Sequence, residues 1–270
     1  MAGPMSGLDI SENRAFVEKA VWYTICIVNL TGVQNESQRV FSEEIGTGTA
    51  CLWKGQRIVL TAKHVLNKAG LADLAFLPRV GSAIDWDSGG KTDIAERVAV
   101  GVERIVRCQW EDLAAIVLRP GEAEKLNSHF CELPKKFARN LSGSGGVMLV
   151  GYPVDQACSV SKTKQGNSVT ESFAVVATPI MGEVAPPPTH PLSYSYDPGR
   201  HLLIRFEPAE AEAKPFGYSG AGVWCDNVRS GAIWTADPLL VGVETSAFVT
   251  SKLLIAVRAE IVRQFLEESL

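Results

Sequence analysis

The chain has 270 residues, 46% of them hydrophobic and 21% charged, which is enough for one large core or two small ones joined. Twenty-six basic residues against 30 acidic ones leave a net charge of −4 with no basic tail or stripe, which argues against nucleic acid as the main partner. The longest strongly apolar run, residues 21–30, contains Thr24 and Asn29 and is too short to span a bilayer. It reads as a buried strand. The start of the chain lacks the charged, apolar and small-residue stretches of a secretory signal, so a soluble, cytoplasmic protein without membrane partners is expected.

In chain order, residues 11–20 read as a short helix with Ser11 as a cap. Short β segments follow at 21–29, 48–53, 57–61, 72–77, 95–106 and 113–118. A polar connection and the Gly/Ser-rich stretch 141–146, which includes Ser144, separate these from a second set. That set comprises 147–152, 172–179, 202–206, 222–225 and 240–246, with the Pro-rich stretch 179–198 expected as a surface loop. The spacing of Leu254, Val257, Ile261, Val262, Phe265 and Leu266 predicts a closing amphipathic helix. The expected organisation is therefore an N-terminal segment (1–20), a first small β-barrel or sandwich (21–125), a linker (126–146), a second β-barrel or sandwich (147–250) and a C-terminal helix (251–270).

Six cysteines occur without a Cys-x-x-C pair or zinc spacing, and several lie inside apolar runs. They read as reduced, buried small side chains. No metal and no organic cofactor is implied.

Four histidines occur, at positions 64, 129, 190 and 201. His64 ends the β run Arg57-Ile-Val-Leu-Thr-Ala-Lys-His64, where a strand end can hold an imidazole toward a cleft. Taken alone, such a histidine is more often structural. Ser219 lies in Pro215-Phe-Gly-Tyr-Ser219-Gly-Ala-Gly-Val-Trp224, where Gly217 and Gly220 permit a sharp turn. That turn allows the amides of Gly217 and Ser219 to point into one small space, as an oxyanion hole requires. Turn serines beside glycine are also common without any chemistry. Asp112 heads the apolar strand Leu113-Ala-Ala-Ile-Val-Leu118, placed to accept the second imidazole proton or simply to make a turn. Its neighbour Glu111 should aim at the opposite face.

Chain order separates the known serine-hydrolase arrangements. No histidine follows Ser219, which removes the order Ser, acid, His; only Asp9 precedes His64, which disfavours Asp, His, Ser. The order His64, Asp112, Ser219 remains.

With these residues the chain resembles a trypsin-like serine protease of the chymotrypsin fold. The matching blocks are Gly46-Thr-Gly-Thr-Ala50, Val59-Leu-Thr-Ala-Lys-His64-Val, Asp112-Leu-Ala-Ala-Ile-Val-Leu118, Val147-Met-Leu-Val-Gly-Tyr-Pro153 and Gly217-Tyr-Ser-Gly220. The bacterial HtrA-like branch is nearest in character, because Gly-Thr-Gly precedes the histidine block; nothing like a PDZ module is expected after the last helix. The resemblance implies an all-β fold of two six-stranded antiparallel barrels packed across an active-site crevice. It implies a serine endopeptidase with His64, Asp112 and Ser219 as triad and the Gly217 and Ser219 amides as oxyanion hole. A non-catalytic binding module and an esterase are the rival readings. The polypeptide substrate is expected to pair with residues 240–245, and a regulatory protein partner to restrain the enzyme. Val65 and Pro215 stand where secreted relatives carry cysteines, and Tyr218 stands where they carry the zymogen-switch aspartate. Candidate substrate-binding residues are Ala213, Tyr218, Val243, Glu244 and Thr245. A neutral Ala213 at the pocket base favours aliphatic side chains unless Glu244 points inward.

Overall fold

The computed structural model describes residues 14–29, 45–67, 69–71, 74–77, 93–96, 98–138, 146–154, 158–165, 168–175, 177–188, 196–206, 215–226 and 237–270. The first element is helix α1 (Arg14–Trp22), which buries Phe16, Val17, Ala20 and Val21. The helix runs two residues past its expected end, so Val21 and Trp22 are helical and the strand starts at Thr24. A closing turn explains the shift: the Tyr23 amide and the Thr24 hydroxyl both donate to the Ala20 carbonyl, at 3.1 and 2.8 Å. Ser11 and Ser144 lie outside the described residues.

The first half contributes β1 (Thr24–Asn29), β2 (Ile45–Trp53), β3 (Gln56–Thr61), β4 (Leu74–Leu77), β5 (Asp93–Glu96), β6 (Val102–Arg107), β7 (Ala114–Leu118) and β8 (Cys131–Leu133). Six of them form an antiparallel path, β4-β1-β2-β3-β7-β6. The sheet curls toward closure through a bridge between Phe76 and Val98. Its interior holds Ile25, Ile27, Val59, Phe76, Val102 and Ile116, all buried; each such side chain contributes roughly 1.5–3 kcal/mol. Two expectations need correction here. The run 95–106 is two strands, because β5 leaves this sheet for a partner in the second half. The expected linker also contains β8, which lies parallel to β2 with Cys131 opposite Cys51.

The second half contributes β9 (Gly146–Gly151), β10 (Cys158–Gln165), β11 (Ser168–Val175), β12 (Thr178–Val184), β13 (His201–Phe206), β14 (Gly222–Cys225), β15 (Leu239–Phe248) and β16 (Leu253–Arg258). The strands β12-β13-β16-β15-β14-β9 close into a barrel, while β10, β11 and β5 make a separate three-stranded sheet. The expected strand 172–179 is thus divided between β11 and β12. Pro179 belongs to β12 and not to a loop, opposite Val150 of β9. Among the described residues, β13 pairs with β12 only from Gly182 onward, so Pro179 lies outside that ladder.

The chain closes with helix α2 (Ala259–Ser269), which packs Ala259, Val262, Phe265 and Leu266 inward. Leu254 and Val257, assigned to this helix by spacing, are instead in β16. The two barrels share one core. Trp53, Ile58, Leu60 and Leu113 from the first meet Met148, Val150, Trp224 and Val243 from the second, with both helices packed over the seam. The fold is therefore mostly β, two barrels with a C-terminal helix.

Cys26, Cys51, Cys108, Cys131 and Cys225 are free thiols, and burial pushes those of Cys26, Cys51, Cys131 and Cys225 up. Dithiothreitol should accordingly shift the melting temperature by less than about 2 °C, whereas a lost disulfide costs about 2–5 kcal/mol. A large fall in a reducing thermal melt would contradict this.

Candidate active site

His64 sits where β3 gives way to a short 3-10 turn, Lys63–Leu66. Its imidazole is about half exposed, while the Asp112 carboxylate beside it is only 18% exposed. Asp112 grips the histidine twice: His64 Nδ1 lies 2.6 Å from Oδ2, and the His64 amide donates to Oδ1 at 3.0 Å. The Lys63 amide donates to the Asp112 carbonyl at 3.2 Å, locking the two turns together. An ionised carboxylate only accepts, so the Nδ1 position carries the proton and Nε2 is left as an acceptor. Of the predicted chemistry-bearing residues, the structure brings this pair into direct contact.

Ser219 occupies the turn between two glycines with left-handed backbones, Gly217 at φ 96° and Gly220 at φ 93°. A Cβ on Gly217 would lie 2.1 Å from the Tyr152 carbonyl oxygen, and one on Gly220 would lie 2.0 Å from that of Thr47. Only glycine fits at either place. Both barrels hold the turn. From β2, the Thr47 amide donates to the Ser219 carbonyl at 2.9 Å and the Thr47 hydroxyl donates to the Gly217 carbonyl at 2.5 Å. The same hydroxyl accepts the Tyr152 amide at 3.1 Å. From β15, the Glu244 carbonyl accepts the Gly220 amide, and the Glu244 amide donates to the Ala221 carbonyl, each at 2.9 Å.

Two further bonds set the direction of the Gly217 and Ser219 amides. The Phe216 carbonyl accepts the Val154 amide at 3.0 Å, and the Tyr218 carbonyl accepts the Ala221 amide at 2.7 Å. In a planar trans peptide the N–H points opposite to the C=O. The Gly217 and Ser219 amides therefore face away from those anchors, and among the described residues neither donates a hydrogen bond. Thr61 ties the serine turn to the histidine segment: its hydroxyl donates to the Thr47 carbonyl at 2.7 Å and lies 2.3 Å from where a Gly220 Cβ would project. His64 follows three residues later. Thr47 and Thr61 carry no motif of their own; a threonine between Gly46 and Gly48, and another ending the apolar strand run before His64, were the available signals.

Of the candidate substrate residues, Ala213 lies outside the described residues. Tyr218, Val243 and Thr245 are buried, Tyr218 packing over Gly151 and the Thr245 hydroxyl donating to the Ile255 carbonyl at 3.5 Å. Glu244 is 1% exposed, and among the described residues neither carboxylate oxygen has a hydrogen-bond partner. Burial, and secondarily the charge of Asp112, raise its pKa to about 8. The strand expected to receive a substrate also looks different in place. Residues 239–243 of β15 pair with β14, and Leu240 is further bonded to Lys136 and Ala138. Beyond Glu244, β15 pairs only with β16 among the described strands, which leaves the edge at 245–248.

Glu111 and Asp112 lie in a bend before β7 and not in a strand, and Glu111 pairs with a different histidine. Its carboxylate lies 3.0 Å from His201 Nε2 and 2.7 Å from Arg200. His201 Nδ1 accepts the Asp197 amide at 3.0 Å, so Nε2 carries the proton and donates to Glu111. Arg200 also stacks on Trp110 and donates to its carbonyl. This clasp ties the loop before Asp112 to β13 of the other barrel. Glu111→Ala should destabilise the fold by roughly 3 kcal/mol, because it strands His201, 6% exposed, without its acceptor. Urea denaturation would measure it; a change below about 0.5 kcal/mol would mean the clasp carries no net stability.

No family model matches the chain, and no curated protein is matched by sequence. Similarity appears in three dimensions. The scabies mite inactivated protease paralogue S-I1 superposes with a TM-score of 0.53 at 15% identity, covering 93% of this chain and 95% of its own. The serine endoprotease from Yersinia pestis superposes with a TM-score of 0.51 at 15% identity, covering 99% of this chain and 67% of its own. The chain has the trypsin-like serine protease fold.

Proposed function

We propose that the protein is a serine endopeptidase. Ser219 attacks the peptide carbonyl, His64 takes the hydroxyl proton through Nε2 and delivers it to the leaving amine, and Asp112 holds the imidazole and stabilises the imidazolium. The Gly217 and Ser219 amides receive the tetrahedral oxyanion, each donor contributing roughly 3 kcal/mol to the transition state. Water then hydrolyses the acyl-enzyme by the same proton route in reverse. The observations that support this reading are the bond that orients His64 on Asp112 and the glycine-flanked serine turn whose Gly217 and Ser219 amides donate to no acceptor among the described residues. An extended polypeptide would add a strand to the edge of β15 at residues 245–248. Location in the cytoplasm and restraint by a protein partner belong to the same proposal.

A fluorophosphonate probe tests the assembled site, with Ser219→Ala beside the wild type, and a casein digest separates a peptidase from an esterase. Labelling that depends on Ser219, together with casein cleavage, is the expected result. The second reading is a protease fold retained for binding. Its motive is that one of the similar structures is an inactivated paralogue; absent labelling in a folded protein would favour it.

A further inference from the structure

Glu244 is a buried carboxyl that the proposed mechanism does not use. Its backbone braces the serine turn through Gly220 and Ala221, and its side chain is 1% exposed with both oxygens lacking a hydrogen-bond donor among the described residues. Among the described residues, the neighbours that its backbone meets are uncharged and one carboxylate acts on its side chain. On β16 its cross-strand partner is Ala256, on the serine turn it meets Gly220 and Ala221, and from the first barrel it feels Asp112. A carboxylate with no hydrogen-bond donor among the described residues is costly to bury, and a second negative charge nearby makes it more so. Asp112, by contrast, has two donors from His64. Of the two carboxyls, Asp112 is the one equipped to ionise.

We propose that Glu244 is a positioning residue of the site, a neutral carboxylic acid beside Asp112 that leaves Asp112 as the sole negative charge facing the His64 ring. The proposal rests on reading His64, Asp112 and Ser219 as a triad. The proton on Glu244 removes the repulsion that a second carboxylate would exert on Asp112. It also removes Glu244 as a partner for a basic substrate side chain, since a closed-off neutral acid neither attracts nor reaches lysine or arginine.

The pH behaviour follows with a definite sign. The group's folded pKa, about 8, is raised above its ordinary value of 4.5. The stability that the protonated form contributes is therefore fully present below pH 4.5 and is lost as pH rises through about 8. Relative to wild type, Glu244→Gln should gain melting temperature steadily across that window and no further above it.

Carbon-13 NMR of carboxyl-labelled glutamate in the full chain reads the Glu244 titration directly, and nitrogen-15 NMR of the His64 ring reads its effect. In wild type the Glu244 carboxyl should titrate near pH 8, and the His64 Nδ1 signal should show a step with the same midpoint beside its own titration. In Glu244→Gln the shared step should be gone. A Glu244 carboxyl titrating in the ordinary carboxylate range, or His64 signals identical in the two proteins, would overturn the proposal. If the variant does not fold, the wild-type carbon titration alone decides. Fluorophosphonate labelling keeps the two readings apart. Labelling without the shared step defeats the role of Glu244 and leaves the peptidase. The shared step without labelling defeats the peptidase and leaves the coupled carboxyls.

Discussion

Ser219→Ala and His64→Ala are each expected to lower peptide hydrolysis by about 10⁴–10⁶-fold with the fold intact, and the double substitution to cost no more than the worse single one. The non-additivity follows from the chemistry: without the hydroxyl there is no proton for His64 to take, and without His64 the hydroxyl is too weak a nucleophile. Neither change disturbs the framework. The bonds that hold the serine turn are made by its backbone, through the Ser219 carbonyl to the Thr47 amide and the Gly220 amide to the Glu244 carbonyl. The His64 side chain is half exposed, and its backbone amide keeps its bond to Asp112. Asp112→Asn should cost about 10⁴-fold, because an amide N–H facing Nδ1 favours the tautomer in which Nε2 is protonated and unable to accept. The check is kcat/KM on a peptide library with circular dichroism of each variant. Activity within a few fold of wild type in a folded variant would remove that residue from the mechanism.

The parts of the fold legible in the sequence were those whose signals are local. The strands 57–61 and 113–118 announce themselves by apolar β-branched runs, and they place His64 and Asp112 at neighbouring strand ends. The antiparallel pairing of β3 with β7, Thr61 opposite Ala114, turns that adjacency into a hydrogen bond. What escaped was set by the surroundings. All of residues 254–257 in β16 are fully buried, Leu254 and Ala256 in the interior of the second barrel and Val257 in the core between the barrels. A strand buried on both faces loses the alternation that marks a strand, and Leu254 and Val257 then happen to match a helical spacing with the helix that follows. The division of 95–106 was hidden for a related reason, since β5 finds its partner about 80 residues later, in β11. The site shows the same contrast. The reactive residues carry short motifs, but the environment of Glu244 is made by Asp112 from the other barrel, and no spacing within one chain segment encodes it.

Gly220→Ala is expected to destabilise the fold by at least about 3 kcal/mol and to slow labelling of Ser219 by about 10²-fold or more. Two costs combine there. The backbone at φ 93° is one that an L side chain rarely adopts, and the new methyl carbon would sit 2.0 Å from the Thr47 carbonyl oxygen, 2.3 Å from Thr61 Oγ1 and 2.9 Å from Thr61 Cα. Thr61 can rotate its hydroxyl away, but two of the three obstacles are backbone in strands β2 and β3, so the serine turn itself must move. Any such movement loosens the Ser219–Thr47 and Gly220–Glu244 bonds together, and with them the aim of the Ser219 amide. Gly55→Ala isolates the first cost. Gly55 has a similar φ of 84° in the turn between β2 and β3, and a methyl carbon added there would meet nothing within 4 Å. It should lose only about 1 kcal/mol and label at the wild-type rate. Thermal melts and labelling rates on the two variants measure the difference. Equal destabilisation would mean that φ strain alone accounts for Gly220, and that the close approach of the serine turn to Thr47 and Thr61 is not what holds it.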